Sequence, residues 1–198
     1  MILQASEAIT TVKEQRFTLP GYYTWEQFEA IESLTADAPV RITYLDGCVE
    51  FMTLGEYHEQ IKSVLAIFIE LYLFEKEMKF IPVGSATRRD KSKDVSFEPD
   101  ESYYLGEKKE HPDLAIEVTI TSGGIDKLEK YKRLKIAEVW FWENNQLVLY
   151  RLREHNYEQI SRSEFLPDLD IALLGRCVQM SDILAARTEF INGMRQIG

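Results

Sequence analysis

Two acidic residues, Asp100 and Glu117, have the type and the surroundings to do chemistry. Asp100 follows Pro99 at the end of a short predicted strand in "SFEPD", and Glu117 lies in the hydrophobic stretch "LAIEVTI". A carboxylate in such a stretch is unfavourable unless it is paired or binds a metal ion. A turn near "GEKKEH" would place the two strands side by side. A divalent cation would then relieve the repulsion between the carboxylates, and oxygen ligands favour Mg²⁺ or Mn²⁺.

The predicted strand over residues 113–121 has two different faces, because side chains alternate across a strand. One face is apolar and the other is small or polar with Glu117 at its centre. The first comprises Leu114, Ile116, Val118 and Ile120, and the second comprises Asp113, Ala115, Glu117, Thr119 and Thr121. The second face is typical of a strand that lines a site, but a solvated outer face has the same pattern. Both interpretations stay open at this point.

A lysine near the acids would complete a hydrolytic site, yet the strand offers only Thr119 two residues after Glu117. The next predicted helix, residues 125–135, is rich in lysine and arginine. Lys127 in its first turn could point back at Glu117. The apolar stripe of this helix would comprise Leu128, Tyr131 and Leu134. Other basic side chains of the helix and of the charged turn 88–94 are expected to be solvated or to contact phosphate groups: Lys130, Lys132, Arg133, Lys135, Arg88 and Arg89.

Together these residues resemble the PD-(D/E)XK nuclease superfamily, and most closely the Uma family of bacterial restriction endonucleases. The resemblance covers roughly residues 22–175. It runs through "YLDGCVEFM", the start of the helix that carries His58, "EPD", "PDLAIEV", the helix with Lys127 and Tyr131, and "AEVWFW". The chain departs from the general motif at Thr119, where the superfamily has lysine. The Uma family shows the same departure and carries its lysine on the next helix, at the position of Lys127.

The resemblance implies a fold, a reaction and a set of site residues. The fold would be an α/β domain of the restriction-endonuclease-like type, with a mixed central β-sheet flanked by helices. The reaction would be endonucleolytic hydrolysis of DNA phosphodiester bonds. Asp100, Glu117 and the backbone carbonyl of Val118 would bind Mg²⁺ or Mn²⁺, and Lys127 would position the attacking water. A homodimer is expected, because cutting both strands together needs two sites.

Four residues are expected around these groups: His58, Asp113, Thr119 and Tyr131. Three of them also have an ordinary structural interpretation. His58 opens a helix whose stripe includes Leu65 and Tyr72, so it is either a capping or packed residue or part of the site. Tyr131 either packs over the site or fills the core, and Asp113 either lies at the mouth of the site or begins the strand.

Composition limits the classes of protein that fit. The chain has 198 residues, 45% of them hydrophobic, which suits one domain with a core. Its net charge of −10 argues against a general nucleic-acid binder. Two cysteines without a CxxC motif suit the reducing cytoplasm, and neither a secretory signal nor an organic cofactor motif is evident. The longest apolar run, residues 64–74, is too short to span a bilayer.

The expected elements follow from capping and periodicity. "TWEQ" is a capping box that begins a helix at Thr24, with Trp25, Phe28, Ile31 and Leu34 facing inward. Asp46-Gly47 predicts a hairpin, and a long helix is expected over residues 57–79. Strands are predicted near 80–89, 93–105 and 113–121, followed by the basic helix, the hairpin "AEVWFWE"–"QLVLYRL" and an edge strand "YEQIS". The single domain would have a core of about residues 22–175, an arm at 1–20 and a C-terminal helix at 181–194, capped by Ser181.

A second function fits the same sequence. The missing lysine at position 119 and the acidic composition also suit a nuclease fold that has lost catalysis and serves as a nucleic-acid or protein binding module.

Overall fold

The computed structural model describes residues 14–119 and 127–197. The helices among them are α1 Trp25–Leu34, α2 Glu56–Glu75, α3 Lys127–Arg133, α4 Ile171–Val178 and α5 Ile183–Ile197. The strands are β1 Gln15–Thr18, β2 Arg41–Leu45, β3 Cys48–Thr53, β4 Phe80–Pro82, β5 Arg88–Asp90, β6 Val95–Phe97, β7 Glu101–Leu105, β8 Leu114–Thr119, β9 Glu138–Glu143, β10 Gln146–Leu152 and β11 Tyr157–Ile160.

The strands form two sheets. A five-stranded antiparallel sheet has the order β1-β3-β2-β6-β5, and a six-stranded sheet has the order β11-β10-β9-β8-β7-β4. The larger sheet is mixed, because β8 pairs with β9 in parallel and with β7 in antiparallel. Helix α3 connects β8 to β9, as a parallel pair requires. The expected mixed sheet flanked by helices is confirmed, and the five-stranded sheet was not foreseen as a separate unit.

The helices cover the sheets in layers. α2, α4 and α5 pack on one face of the six-stranded sheet around Ile116, Val118 and Trp140. Its other face contacts α3 and the five-stranded sheet around Ala115 and Phe97. Helix α1 covers the far side of the five-stranded sheet. Strand β8 is therefore covered on both faces, and the solvated-face interpretation of the Glu117 side is wrong.

Local signals predicted the first half of the chain well. The Thr24 hydroxyl accepts from the amide of Gln27 and the Gln27 side chain accepts from the amide of Thr24, so the capping box that begins α1 is confirmed. Asp46 and Gly47 have φ of 49° and 80°, which is the left-handed backbone that a tight hairpin requires. Leu34 is 87% exposed, so its inward assignment is wrong.

Predicted ends were less accurate than predicted centres. Helix α2 ends at Glu75 rather than near residue 79. Glu77, two residues after this end, has a positive φ of 50°, which a continuing helix would not allow. Periodicity predicts an apolar stripe on this helix, of which Ile61, Leu65, Phe68 and Tyr72 are buried while Val64 and Leu71 are partly buried. The arm at 1–20 contributes an edge strand, β1, while residues 1–13 lie outside the described part.

The C-terminal segment contains two helices where the sequence predicted one. Asp170 caps α4 by accepting from the amide of Leu173 at 3.0 Å. Asp182, not Ser181, caps α5, accepting from the amides of Leu184 and Ala185. Within the described residues, no helix combines the length and apolarity needed to cross a membrane.

Candidate active site

Asp100 and Glu117 lie on the same face of neighbouring strands. The β7–β8 register pairs Glu101 with Ile116, and one step further places Asp100 opposite Glu117. The two acids are 1% and 4% exposed. The Val118 amide donates to Oδ2 of Asp100 at 2.6 Å. Because the N–H and C=O of a strand residue point to the same edge, the Val118 carbonyl also faces Asp100. The register and this hydrogen bond therefore place Asp100 next to Glu117 and Val118 of β8.

Two cations neutralise Asp100. Its Oδ1 accepts from Nη1 of Arg41, which comes from β2, and lies 2.9 Å from Nε2 of His58. Burial alone would raise the pKa of Asp100, but the His58 hydrogen bond and the charges of His58 and Arg41 hold it below its usual value. Asp100 is therefore a fixed carboxylate in the interior.

His58 connects Asp100 to a third acid. Its Nδ1 lies 2.8 Å from Oε2 of Glu14, just before β1. Burial alone would lower the pKa of His58, but hydrogen bonds to Asp100 and Glu14 raise it to about 9. An imidazolium between two carboxylates explains why a histidine opens α2 on its buried side. Of the alternatives left open, the structure places His58 beside the candidate acids.

Helix α3 supplies two donors to Glu117. Its Oε1 accepts from Nζ of Lys130 at 2.7 Å and from the hydroxyl of Tyr131. The solvated position expected for Lys130 is wrong, because the residue is 7% exposed and its ammonium lies 4.8 Å from the Phe97 ring centroid. Burial, followed by the charge of Glu117, raises the pKa of Tyr131 well above its usual value, so its hydroxyl stays a donor.

Lys127 reaches the position at which the general motif has its lysine. Its Nζ donates to Oγ1 of Thr119 at 2.9 Å. Thr119 is two residues after Glu117, so the ammonium lies at the Glu117 face of β8. Burial, followed by the charge of Arg16, lowers the pKa of Lys127. Ile120, Thr121 and the predicted Gly123-Gly124 break fall outside the described residues.

Arg41 was not predicted from the sequence as a site residue, and neither was the ion pair between Glu14 and Arg16 at the start of β1. Nε of Arg16 lies 3.2 Å from Glu14, and its Nη1 lies 3.3 Å from Oε1 of Glu50 in β3. Nothing local in the sequence links these residues to Asp100. Lys130 did have a signal, since it lies three residues after Lys127 on the same side of α3.

Asp113 lies apart from these groups. Its Oδ2 accepts from the amide of Leu105 at 2.9 Å, and its Oδ1 accepts from Lys109 at 2.5 Å. It is four residues from Glu117, or roughly 13 Å along a strand. Asp113 directly precedes β8, and its hydrogen bonds hold the connection between β7 and β8. Of the two roles considered, beginning the strand fits this position, and lying at the mouth of the site does not.

Four of the expected phosphate-contacting residues bond within the protein. Arg88 donates to the Tyr104 hydroxyl at 3.2 Å, Arg89 to Glu32 at 2.5 Å, and Arg133 to Asp46 at 2.6 Å; Lys132 pairs with Glu129. These partners compete with phosphate for the same donors.

The oxygen set suits a small hard cation. Across 14–119 and 127–197, no three His, Cys, Asp or Glu side chains are arranged to hold a metal ion. Mg²⁺, however, is usually bound through one or two carboxylates together with water. Asp100 accepts three hydrogen bonds, from Arg41, His58 and Val118, of about four that a carboxylate can accept. Asp100, Glu117 and the Val118 carbonyl therefore fit Mg²⁺ or Mn²⁺ by donor type.

One comparison with known proteins identifies a family for this chain. The family model Uma2, described as "putative restriction endonuclease", matches residues 25–181. A search of curated proteins gave no match. The matched segment contains Asp100, Glu117, Lys127 and His58 but begins after β1.

Proposed function

Since the chain belongs to the Uma2 family, we propose that it is a metal-dependent endonuclease that hydrolyses DNA phosphodiester bonds. The observation that carries the proposal is the placement of Asp100 opposite Glu117 at the Val118 edge of β8, with the Lys127 ammonium at Thr119. This is the set of groups that in-line hydrolysis of a phosphodiester needs.

Asp100, Glu117 and the Val118 carbonyl would hold the Mg²⁺ or Mn²⁺ ion. Such an ion lowers the pKa of a bound water and polarises the phosphoryl group. Arg41 and His58 keep Asp100 ionised and fixed in place. A carboxylate held in this way needs no rearrangement when the substrate arrives.

The two lysines of α3 have different tasks in this proposal. Lys127 contacts a neutral hydroxyl, so its ammonium can orient the attacking water or neutralise the charge that builds up on the phosphate. Lys130, together with Tyr131, orients Glu117 through the same carboxylate oxygen. Lys130 is therefore a positioning residue rather than a phosphate contact.

A second candidate function rests on the charge balance of the site. Arg41 and His58 neutralise Asp100, and Lys130 neutralises Glu117. Buried acids that are already paired do not require a metal ion. This observation favours a nuclease fold that binds nucleic acid or protein without cutting it.

A nicking assay on supercoiled plasmid with Mg²⁺ or Mn²⁺ separates the two functions. For the endonuclease we expect wild-type nicking that Asp100→Asn, Glu117→Gln and Lys127→Met each reduce by at least about 10²-fold. Melting curves supply a second readout. Millimolar metal should raise the melting temperature of the wild type and of Lys127→Met, but not of the two acid variants, because only a ligand loss abolishes binding.

The outcomes differ clearly. DNA binding without nicking, and no melting shift with either metal, would support the binding module. Nicking that survives Glu117→Gln would remove this site from the chemistry. The distant variant Arg153→Gln is the control, since Arg153 pairs with Glu158 and Glu164 near β11.

We further propose a cytoplasmic homodimer. Two sites are needed to cut both strands in one event, and Cys48 and Cys177 are both free thiols, as the reducing cytoplasm maintains them. Light scattering with and without duplex DNA measures the assembly. A chain that stays monomeric on DNA should nick plasmid without linearising it.

A further inference from the structure

We infer that Arg16, carried by the edge strand β1, binds the substrate phosphate at this site and is part of its catalytic machinery. The inference rests on the proposed function and extends it to a segment that precedes the matched residues 25–181. Four observations support it. They are the ion pairs that hold Arg16, the N–H groups of its guanidinium that remain unbonded, its place next to the site residues, and the need for a further cation at the phosphate.

Two carboxylates hold the guanidinium of Arg16. Nε contacts Oε1 of Glu14 at 3.2 Å, and Nη1 contacts Oε1 of Glu50 at 3.3 Å. The β1–β3 register places Thr18 opposite Glu50, so alternation puts Glu14, Arg16 and Glu50 on one face of the sheet. The Arg16 side chain is only 13% exposed. A long flexible side chain is thus fixed before any ligand arrives.

Part of the guanidinium remains available. Arginine has five N–H donors in a planar fork that matches phosphate. Nη2 makes no hydrogen bond to any residue that the structure describes, and it is not a buried atom lacking a partner. Among the described residues it is therefore a donor that remains available, on a side chain that is 13% exposed.

Arg16 faces the catalytic groups. Burial alone would lower the pKa of Arg16, but Glu117, then Glu14 and Glu50, raise it. Arg16 is also the charge that, after burial, does most to lower the pKa of Lys127. Hydrogen bonds connect Arg16 to the same site, because Glu14 contacts both Arg16 and His58, and His58 contacts Asp100.

Within residues 14–119 and 127–197, the site has few other cations for the phosphate. Arg41 and Lys130 are each bonded to a ligand acid, which leaves Lys127 as a donor to a neutral group. Phosphodiester hydrolysis builds negative charge on the non-bridging oxygens, and a preorganised guanidinium stabilises that charge. Arg16 is the nearby cation whose free N–H groups could do so.

The test compares three full-length variants, Arg16→Gln, Arg16→Lys and the control Arg153→Gln. We measure single-turnover cleavage with Mn²⁺, and DNA binding without metal as a function of salt. Arg16→Gln should slow cleavage by about 10²-fold and reduce the slope of log K against log salt by about 0.9, the loss of one phosphate contact. Arg16→Lys should restore the slope but not the rate, because an ammonium lacks the fork. Arg153→Gln should change neither quantity.

The inference and the proposed function can fail separately. If the wild type cleaves and Arg16→Gln cleaves equally fast with an unchanged slope, Arg16 is structural and the endonuclease stands. If no preparation cleaves, the endonuclease fails and the binding slope alone decides on Arg16. If Arg16→Gln does not fold, Arg16→Lys decides: a wild-type cleavage rate in that variant overturns the inference.

Discussion

Replacing each lysine of α3 by methionine should separate stability from chemistry. Lys130→Met keeps the volume of the side chain but leaves Glu117 buried without the ammonium that is hydrogen-bonded to it. The ion pair is 2.7 Å long and its side chains are 9% and 5% exposed, so solvent cannot replace the lost charge. Removing one partner of a buried pair destabilises a protein by about 3–5 kcal/mol. For a chain of this size that lowers the melting temperature by roughly 6–20 °C.

Lys127→Met should have a much smaller effect on folding. Its ammonium makes one hydrogen bond to the Thr119 hydroxyl, and hydrogen bonds of charged groups contribute about 1.5–3 kcal/mol before the remaining solvent access is considered. We therefore expect at most about 2 kcal/mol of destabilisation. In the nicking assay the order reverses, with Lys127→Met losing activity at temperatures where it is fully folded.

Chemical denaturation of both variants, with and without Mg²⁺, measures the difference. Metal should stabilise Lys130→Met more than the wild type, because it meets a Glu117 carboxylate with no competing ammonium. Equal unfolding free energies for wild type and Lys130→Met would refute the buried pair. A Lys127→Met protein that nicks at the wild-type rate would refute the transfer of the motif lysine from position 119 to the helix.

Three further expectations concern thiols, capping and the hairpin. Burial raises the pKa of the Cys177 thiol to about 11. At pH 8 a thiol reagent should therefore modify only Cys48 in the native protein, and both cysteines in the unfolded protein. Fast modification of both thiols in the native protein would contradict the burial of Cys177. Thr24→Ala removes the capping box of α1 and should lower the unfolding free energy by about 1 kcal/mol in a denaturant titration, whereas Thr24→Ser should not. Gly47→Ala places a Cβ 3.3 Å from the Tyr23 carbonyl oxygen at a φ of +80°, and should cost about 1–3 kcal/mol by the same measurement; an unchanged midpoint would show that the turn relaxes.

The sequence predicted those features that depend on neighbours in the chain. The capping box at Thr24 and the hairpin at Asp46 depend on a few consecutive residues. Asp100 and Glu117 were expected side by side, because one turn joins their strands. Such short segments determine their own local backbone geometry, so they can be predicted without knowledge of the whole fold.

Features that depend on distant packing could not be predicted in the same way. Arg41 and His58 meet Asp100 from 59 and 42 positions away. The burial of Lys130 depends on the rotation of α3 over the sheet, and a stripe of Leu128, Tyr131 and Leu134 does not fix that rotation to within one residue. Helix α4 has only eight residues and contains Gly175, so its apolar periodicity is too short to predict a helix from the sequence.

The two strands that carry site residues, β1 and β8, should differ in how easily they unfold locally. Among the described residues, the four-residue strand β1 forms the edge of its sheet and pairs with β3 alone, whereas β8 is hydrogen-bonded on both sides. Edge segments with few contacts open at a lower free energy than the core. The amides of residues 15–18 should therefore exchange with deuterium far sooner than those of β8. We expect each such opening to carry Glu14 and Arg16 away from His58 while Asp100 and Glu117 stay in place. The site would then alternate between a complete and a reduced set of charges on the timescale of local fraying.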